Sequence, residues 1–427
     1  HVLYPTNSKT CLQEITVVGG IPITTEKAKV KFGGHGYGGY FDSADSDSDI
    51  CDGHMNTISL MVGPVESDWI NQSFSFQSYD TPMGYGLRVT KNVTKGLVMC
   101  MQGFILKHLL FAKTKGKSTV EPKTLLKASM RAQEDSLVDA LTDILWQVGE
   151  KTSATLCLSQ EIAYARDDES YQCDGCTEKI HMFEFNKQED LRFTVKRHLF
   201  EFMSNNRCGY MLFIYSLIMT RGFKRVMEDM VDVKESLLQP NGHIHPILAS
   251  LILTGRATPY LHNGIIYEGT EDTMNYKNLA YTPSVPTINH HLQKCSFDLL
   301  QSKPKTGVLK RAEVGHLVWQ RSENKWPVNV GSRLKTPTLP IWVVRSDDSY
   351  GVLFNPNREL LRDYHAENRF DLYYYSSANN QNKSTIVTID TRNSSANDEY
   401  STPVLENIIH TKWSDAEVTW NGCSPYM

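Results

Sequence analysis

The chain has 427 residues, 40% of them hydrophobic, and a mean hydropathy of −0.37. That composition fits a globular protein with a sizeable core, in one large domain or two ordinary ones. Its 44 basic and 48 acidic side chains leave a net charge of −4, which gives no electrostatic reason to expect nucleic acid or a membrane surface as partner. Nine scattered cysteines, an odd number, argue against a disulfide framework and for a reducing intracellular compartment, expected to be the cytoplasm.

Taken in chain order, residues 1–63 do not read as part of the main domain. The run GGHGYGG at 33–39 is low-complexity, and FDSADSDSD at 41–49 is an acidic Ser/Asp tract. Both lack the apolar content to pack a core, so the whole of 1–63 is expected to be disordered. No Gly-Lys-Ser/Thr follows the glycines, which excludes a phosphate loop. Residues 64–427 are expected to form one globular unit.

That unit opens on YGLRVTKNVTKGLVMCMQGFILKHLLF at 85–111. A turn-prone run, 91–95, leads into an apolar stretch, 96–111, that reads as one buried helix about 24 Å long. Residues 125–148 carry Leu137, Leu141, Ile144 and Leu145 at amphipathic-helix spacing. Further helices are expected over 191–203, 210–225 and 244–253. The apolar run at 209–220 is about twelve residues, against the roughly 20 that a membrane span needs. From Gly315 onward the pattern changes to short strands, at 315–320, 341–345, 351–354, 372–375 and 385–389. Helices first and strands later predict an α+β unit, with Lys95 and Ser349 brought together across the boundary.

The junction at Lys95 has a defined chemistry. A loop running into a helix N-terminus is where a cysteine protease places its nucleophile, because backbone N–H groups and the positive end of the helix dipole favour thiolate there. The same N–H groups can line an oxyanion hole. Here the position holds an amine.

Four separated segments resemble the MINDY family of deubiquitinases. Tyr85, Gly86 and Leu87, then Gln102, Leu106, Leu109, Leu110 and Phe111, match the family's Tyr-Gly-Leu-x-Gln-x-x-Gly-Gly-Pro-Cys segment and the helix after it. KTPTLPIWVVRSDDSYGVLF at 335–354 is similar to the family's Lys-Thr-Pro-x-x-Pro-Ile-Trp-Val-Val-x-Ser-x-x-His segment and the strand beyond. PILASLILTGRA at 246–257 and the pair FDLYYY (370–375) and HTKWSDAEVTWNG (410–422) complete the set. Within the family the chain is most similar to an inactive paralogue. The resemblance implies a papain-like cysteine-protease fold, α+β, acting on isopeptide bonds of lysine-forty-eight-linked polyubiquitin. It also implies where the catalytic groups should fall: the nucleophile on Lys95, the general base on Ser349, and the oxyanion-hole Gln on Val89. The Gly-Gly-Pro of the elbow falls on Asn92, Val93 and Thr94. A serine hydroxyl cannot act as the base, and an ammonium cannot replace a thiolate.

Other candidates are weaker. Cys100 lies five residues along the helix from Lys95, turned about 140° away and about 7.5 Å deeper, as a core thiol would be. Lys95 itself could be a desolvated nucleophile, but with no partner base in the sequence a solvated or phosphate-facing lysine is expected. Cys173 and Cys176 form a lone CxxC with His181 nearby; zinc would need about four ligands, with Cys157 or Cys208 as possible completions, and free thiols are expected instead. His243 and His245 precede a helix and are expected in turn or capping roles. His290 and His291 read as loop residues, and His365 would reach the base position only through a folded-back loop. Trp319, Trp326, Trp342, Trp413 and Trp420 are expected mostly in the core.

The expectation is therefore a pseudoenzyme with no catalytic residues, no metal and no cofactor. Ubiquitin or polyubiquitin is its expected partner, and neither nucleic acid nor membrane. The alternatives are a structural or interaction protein without ubiquitin contact, and a weakly active ubiquitin thiol hydrolase.

Overall fold

The computed structural model describes residues 13–15, 62, 67–112, 126–163, 173–204, 207–231, 236–267, 304–320, 330–378, 381, 383, 385–394 and 402–423. The helices are α1 (Ser67–Ile70), α2 (Lys95–Lys107), α3 (Met130–Val148), α4 (Gln188–Arg197), α5 (Leu199–Met203), α6 (Gly209–Arg221), α7 (Phe223–Met230), α8 (Pro246–Thr254), α9 (Ser332–Lys335) and α10 (Val404–His410). The strands are β1 (Gln13–Ile15), β2 (Ala154–Ser159), β3 (Ile180–Phe185), β4 (Ile265–Ile266), β5 (Lys305–Thr306), β6 (Gly315–Trp319), β7 (Ile341–Ser346), β8 (Ser349–Phe354), β9 (Arg369–Tyr375), β10 (Thr385–Ser394) and β11 (Ala416–Thr419).

Strands β6 to β11 form one mixed sheet in the order β11-β10-β9-β8-β7-β6, antiparallel except for the β6–β7 pair. The alternation of a strand sends its side chains to two different layers. Ile341 and Val343 of β7, with Tyr350, Val352 and Phe354 of β8, join the helical core. Trp342, Val344 and Leu353 join a second core with Leu405, Ile408 and Ile409 of α10 and with Trp413. Because both faces are covered, all six residues of β7 are buried, which is why 341–344 read as a continuous apolar run rather than an alternating one. Trp342 and Trp413 meet edge to face at 5.4 Å.

The central helix α2 lies in the first core and continues as a π-helical turn over His108–Ala112. Gly103 lets it approach the sheet: a Cβ there would lie 2.9 Å from Val314 and 3.5 Å from Val343. Two expected helices are each divided. The 191–203 helix breaks at His198 into α4 and α5, and the 210–225 helix breaks at Gly222, whose φ of 82° ends α6. His245 caps α8, its Nδ1 accepting from the Ile247 N–H at 3.2 Å, with Pro246 in the first turn.

Two expectations on organisation need correction. The first half is not wholly helical, since β2 and β3 form an antiparallel hairpin within it. A helix in turn, α10, lies in the strand-rich half. Strand β2 is buried on both faces, and a short apolar run of that kind carries no period that separates strand from helix. Residues 1–63 are not uniformly outside the fold either: Gln13–Ile15 pairs with β3 as an edge strand, and Val62 is buried with its carbonyl accepting from the Leu238 N–H at 2.9 Å. The Gly-rich and Ser/Asp tracts, His290 and His291, and Trp326 lie outside the described residues.

Candidate functional site

The N-terminus of α2 meets the start of β8. A Cβ on Gly96 would lie 3.0 Å from the Tyr350 ring and 2.6 Å from the Ile244 side chain. Lys95 and Ser349, each one residue earlier, thus come from elements in contact. Ser349 follows the tight Asp347–Asp348 turn, in which Asp347 has φ 50°, and pairs with Ser346 across the hairpin. The loop carrying His243 and Ile244 closes the third side. It is held by Trp69 Nε1 donating to the Gly242 carbonyl at 2.8 Å and by Asn241 Nδ2 donating to Asp348 Oδ2 at 3.3 Å.

The extended segment carrying Val89 is fixed by side chains from both halves of the chain. Gln102, buried in α2, accepts from the Leu87 N–H at 2.6 Å and donates to the Tyr85 carbonyl at 3.0 Å. Tyr375 Oη donates to the Leu87 carbonyl at 2.6 Å. Gly86 is needed because a Cβ there would lie 2.3 Å from the Tyr375 ring. The Val89 N–H itself donates to Ser377 Oγ at 2.9 Å. Val89 presents an apolar side chain packed against the core, with no donor for an oxyanion.

Asn92–Thr94 form a 3₁₀ turn leading into α2. None of the three has a positive φ. The Thr94 N–H and Oγ1 both donate to the Lys91 carbonyl, at 3.1 and 2.9 Å.

Lys95 differs from expectation. It is largely buried, 9% exposed, at the start of a helix whose next residue, Gly96, packs against Ile244 and Tyr350. Its N–H donates to the Asn92 carbonyl, its side chain has no hydrogen bond or ion pair among the described residues, and burial pushes its amine below the usual lysine range. Cys100 is fully buried, and burial pushes its thiol up to about 12 against the pull of Arg345. A thiol so shielded from water supplies no thiolate near neutral pH.

Sequence reasoning missed the polar cluster under the site. Arg345 alternates with Ile341 and Val343, so it enters the helical core, and it is 3% exposed. Its Nε and Nη1 have no hydrogen-bond partner. Tyr350 lies directly opposite in the β7–β8 pairing. Burial pushes the Tyr350 phenol up to about 12, with Arg345 opposing. His316 of β6 is buried with Nδ1 2.9 Å from the Val343 carbonyl. That oxygen can only accept, so Nδ1 carries the proton. Burial, with Arg345 adding to it, holds His316 down to about 4. The available signal was a lone arginine at an inward position of an apolar strand.

The remaining candidates lie elsewhere. Residue 365 follows the far end of β8, near Arg358, which donates to the Phe111 carbonyl at the opposite end of the central helix. His365 is exposed there and stacks on Tyr364 at 3.9 Å. Cys176 shares a thiol hydrogen bond with Cys208, which drives the Cys176 thiol up and the Cys208 thiol down. Cys157 takes its backbone contact from Ser216. Among the described residues no group of three His, Cys, Asp or Glu side chains could hold a metal ion. No helix there is long and apolar enough to cross a membrane.

The family profile for the conserved domain of deubiquitinating enzyme MINDY-3/4 matches residues 59–279 and 287–422. The chain belongs to the MINDY-3/4 family. It is 30% identical over 362 residues to the Xenopus tropicalis protein named "Probable ubiquitin carboxyl-terminal hydrolase MINDY-4", covering 84% of this chain and 44% of that protein. The human MINDY-4 protein of the same name is also 30% identical, over 84% of this chain and 43% of its own length. The bovine "Ubiquitin carboxyl-terminal hydrolase MINDY-3" is 24% identical, over 61% of this chain and 55% of its own. The chain thus spans less than half the length of the MINDY-4 relatives it matches. No solved structure matches it.

Proposed function

We propose that this chain is a catalytically inactive MINDY-type protein, with a papain-like domain over residues 64–427, that binds ubiquitin without cleaving it. Lys95 stands at the nucleophile position, Ser349 at the base position and Val89 at the oxyanion position. The observation that carries this reading is the pairing of a buried amine at the start of α2 with a fully buried Cys100 thiol one turn deeper. No group on these elements can form a thiolate and pass its proton to a base. The scaffold around the lost groups supports retained binding. Gln102 and Tyr375 still hold the 85–89 segment beside the helix, and Asn241 still ties its loop to the β7–β8 turn. The ligand would be ubiquitin or lysine-forty-eight-linked polyubiquitin, met in the reducing intracellular compartment that the free thiols suit.

Titration with mono-ubiquitin and tetra-ubiquitin tests the binding half of this reading. Saturable binding at micromolar concentration is expected. Absence of binding to every chain type would replace it with a structural or interaction protein without ubiquitin contact.

A further inference from the structure

Cys176 and Cys208 lie in separate elements that the fold brings together. Cys176 precedes the short 3₁₀ turn Thr177–Lys179 that leads into β3. Asp174 shapes this loop, its Oδ1 accepting from the Cys176 and Thr177 N–H groups at 2.7 Å each. Cys208 is the N-cap residue of α6, a 13-residue helix. Tyr215 lies about two turns further along the same face of α6, and its Oη is 2.5 Å from Thr177 Oγ1. The loop therefore runs along the first turns of α6, and the Cys176 thiol meets the Cys208 sulfur in a hydrogen bond. The start of α6 is fixed as well: the Gly209 N–H donates to Ser73 Oγ and the Tyr210 N–H to the Gln72 carbonyl, both at 3.1 Å.

The pair differs from core thiols such as Cys100 and Cys157. Cys208 has φ 56°, in the left-handed region that a residue with a Cβ rarely adopts, so its place opposite Cys176 is held at a conformational cost. The two sulfurs also have unequal characters. Their shared hydrogen bond pushes the Cys208 thiol down and the Cys176 thiol up, and the positive end of the α6 dipole favours thiolate at Cys208. Cys208 is 9% exposed, against 0% for Cys100 and Cys157. Among the described residues no group of three His, Cys, Asp or Glu side chains could hold a metal ion, so the two thiols are not half of a zinc site there.

We propose that Cys176 and Cys208 are a site of reversible oxidation, at which a peroxide closes a disulfide that clamps the 173–179 loop to the start of α6. The inference is independent of the ubiquitin-binding reading. The Cys208 thiolate attacks one peroxide oxygen and the O–O bond breaks. The other oxygen leaves as hydroxide, which the proton released from Cys208 turns to water, and Cys208 becomes a sulfenic acid. The Cys176 sulfur then attacks the sulfenic sulfur. The S–S bond forms, the S–O bond breaks, and the departing hydroxide takes the Cys176 proton as a second water. Two thiols are thereby oxidised and one peroxide is reduced to water, and a dithiol reductant reverses the change by thiol–disulfide exchange.

The test exposes the full chain to hydrogen peroxide at neutral pH, blocks the remaining thiols with N-ethylmaleimide, and maps the peptides by mass spectrometry without reduction. A peptide linked through Cys176 and Cys208 is expected, formed roughly ten-fold faster than any oxidation of Cys100 or Cys157 and lost on adding dithiothreitol. Cys176→Ser should strand Cys208 as a sulfenic acid that dimedone traps. Cys208→Ser should leave Cys176 reduced at the same dose, and Cys173→Ser should leave the linkage intact. Circular dichroism confirms that each variant folds, and the parent map alone decides the question where one does not. The oxidised parent should also unfold at a higher urea concentration than the reduced parent. A parent with no Cys176–Cys208 linkage by the time Cys100 or Cys157 is oxidised overturns the proposal, as does a disulfide joining Cys173 to either partner. Linkage without a rise in the urea midpoint overturns the clamp.

Discussion

Replacing Arg345 with methionine should stabilise the fold, although Arg345 is among its most buried residues. Removing a cation that has no carboxylate relieves a desolvation penalty of several kcal/mol, and methionine keeps most of the aliphatic stem that fills the space between α2 and β7. The opposing loss is the guanidinium's interaction with the Tyr350 hydroxyl, about 1 kcal/mol. The net expectation is a gain of about 1–3 kcal/mol. Arg221 provides the control: with two carboxylate partners, Arg221→Met should destabilise by about 3 kcal/mol, since it breaks a buried pair and leaves Asp229 with Arg256 as its one cationic partner. Urea denaturation followed by tryptophan fluorescence reads both changes. A second readout is independent of global stability. Arg345 contributes to holding His316 down at about 4, so the His316 titration followed by NMR should move up toward the ordinary histidine range in Arg345→Met. A variant destabilised by more than about 1 kcal/mol, with His316 unmoved, would refute the reasoning: the guanidinium would then be making stabilising bonds.

His316 should also shape acid stability. Its folded pKa of about 4 lies below the ordinary 6.5, so the unfolded chain takes up the proton first as pH falls, and stability is lost between about pH 6.5 and pH 4, by about 3 kcal/mol in all. His316→Gln should flatten that part of the curve in urea melts at pH 7 and pH 4.5; an unchanged slope would contradict the assignment. Cys208, whose thiol is lowered, should alkylate before Cys100 and Cys157, both pushed up to about 12. Mass spectrometry after brief iodoacetamide treatment at pH 8 gives the order, and early Cys100 labelling would undo the core-thiol reading. Rebuilding the site through Val89→Gln, Asn92→Gly, Val93→Gly, Thr94→Pro, Lys95→Cys and Ser349→His should yield a protein that labels with a ubiquitin C-terminal electrophile. Lys95→Cys alone should label far less, for want of a base and an oxyanion donor. Thr94→Pro removes the Thr94 N–H bond to Lys91, so the rebuilt protein should be less stable by about 1 kcal/mol. A folded revertant that does not label would show that the groove, and not only the dyad, has been lost.

Where chemistry followed from local pattern, the sequence was enough. The turn into the apolar helix at Lys95, the strands around Trp342 and Phe354, and the capping role of His245 all follow from residue type and spacing, and the structure has them there. What could not be read were properties set by contacts between distant segments. Lys95 was expected to be solvated because the groups that close on its neighbour Gly96, Ile244 and Tyr350, come from a loop and a strand far along the chain. Arg345, one charge in an apolar strand, was passed over, and only the packing of α2 shows that its Nε and Nη1 are buried without a partner. Nor could the sequence show what backbone Asn92, Val93 and Thr94 adopt in place of a Gly-Gly-Pro elbow: the chain forms a 3₁₀ turn there that needs no glycine. The β2–β3 hairpin was hidden because a strand buried on both faces has no alternation to detect.

Catalytic inactivity is tested most directly by incubating the purified chain with a ubiquitin C-terminal electrophile and, in parallel, with lysine-forty-eight-linked tetra-ubiquitin. Neither adduct nor cleavage products should form over hours at neutral pH, because on the proposed reading Lys95 occupies the nucleophile position, and the Cys100 thiol is buried and pushed up to about 12. An adduct on Cys100, or chain cleavage abolished by Cys100→Ala, would contradict it.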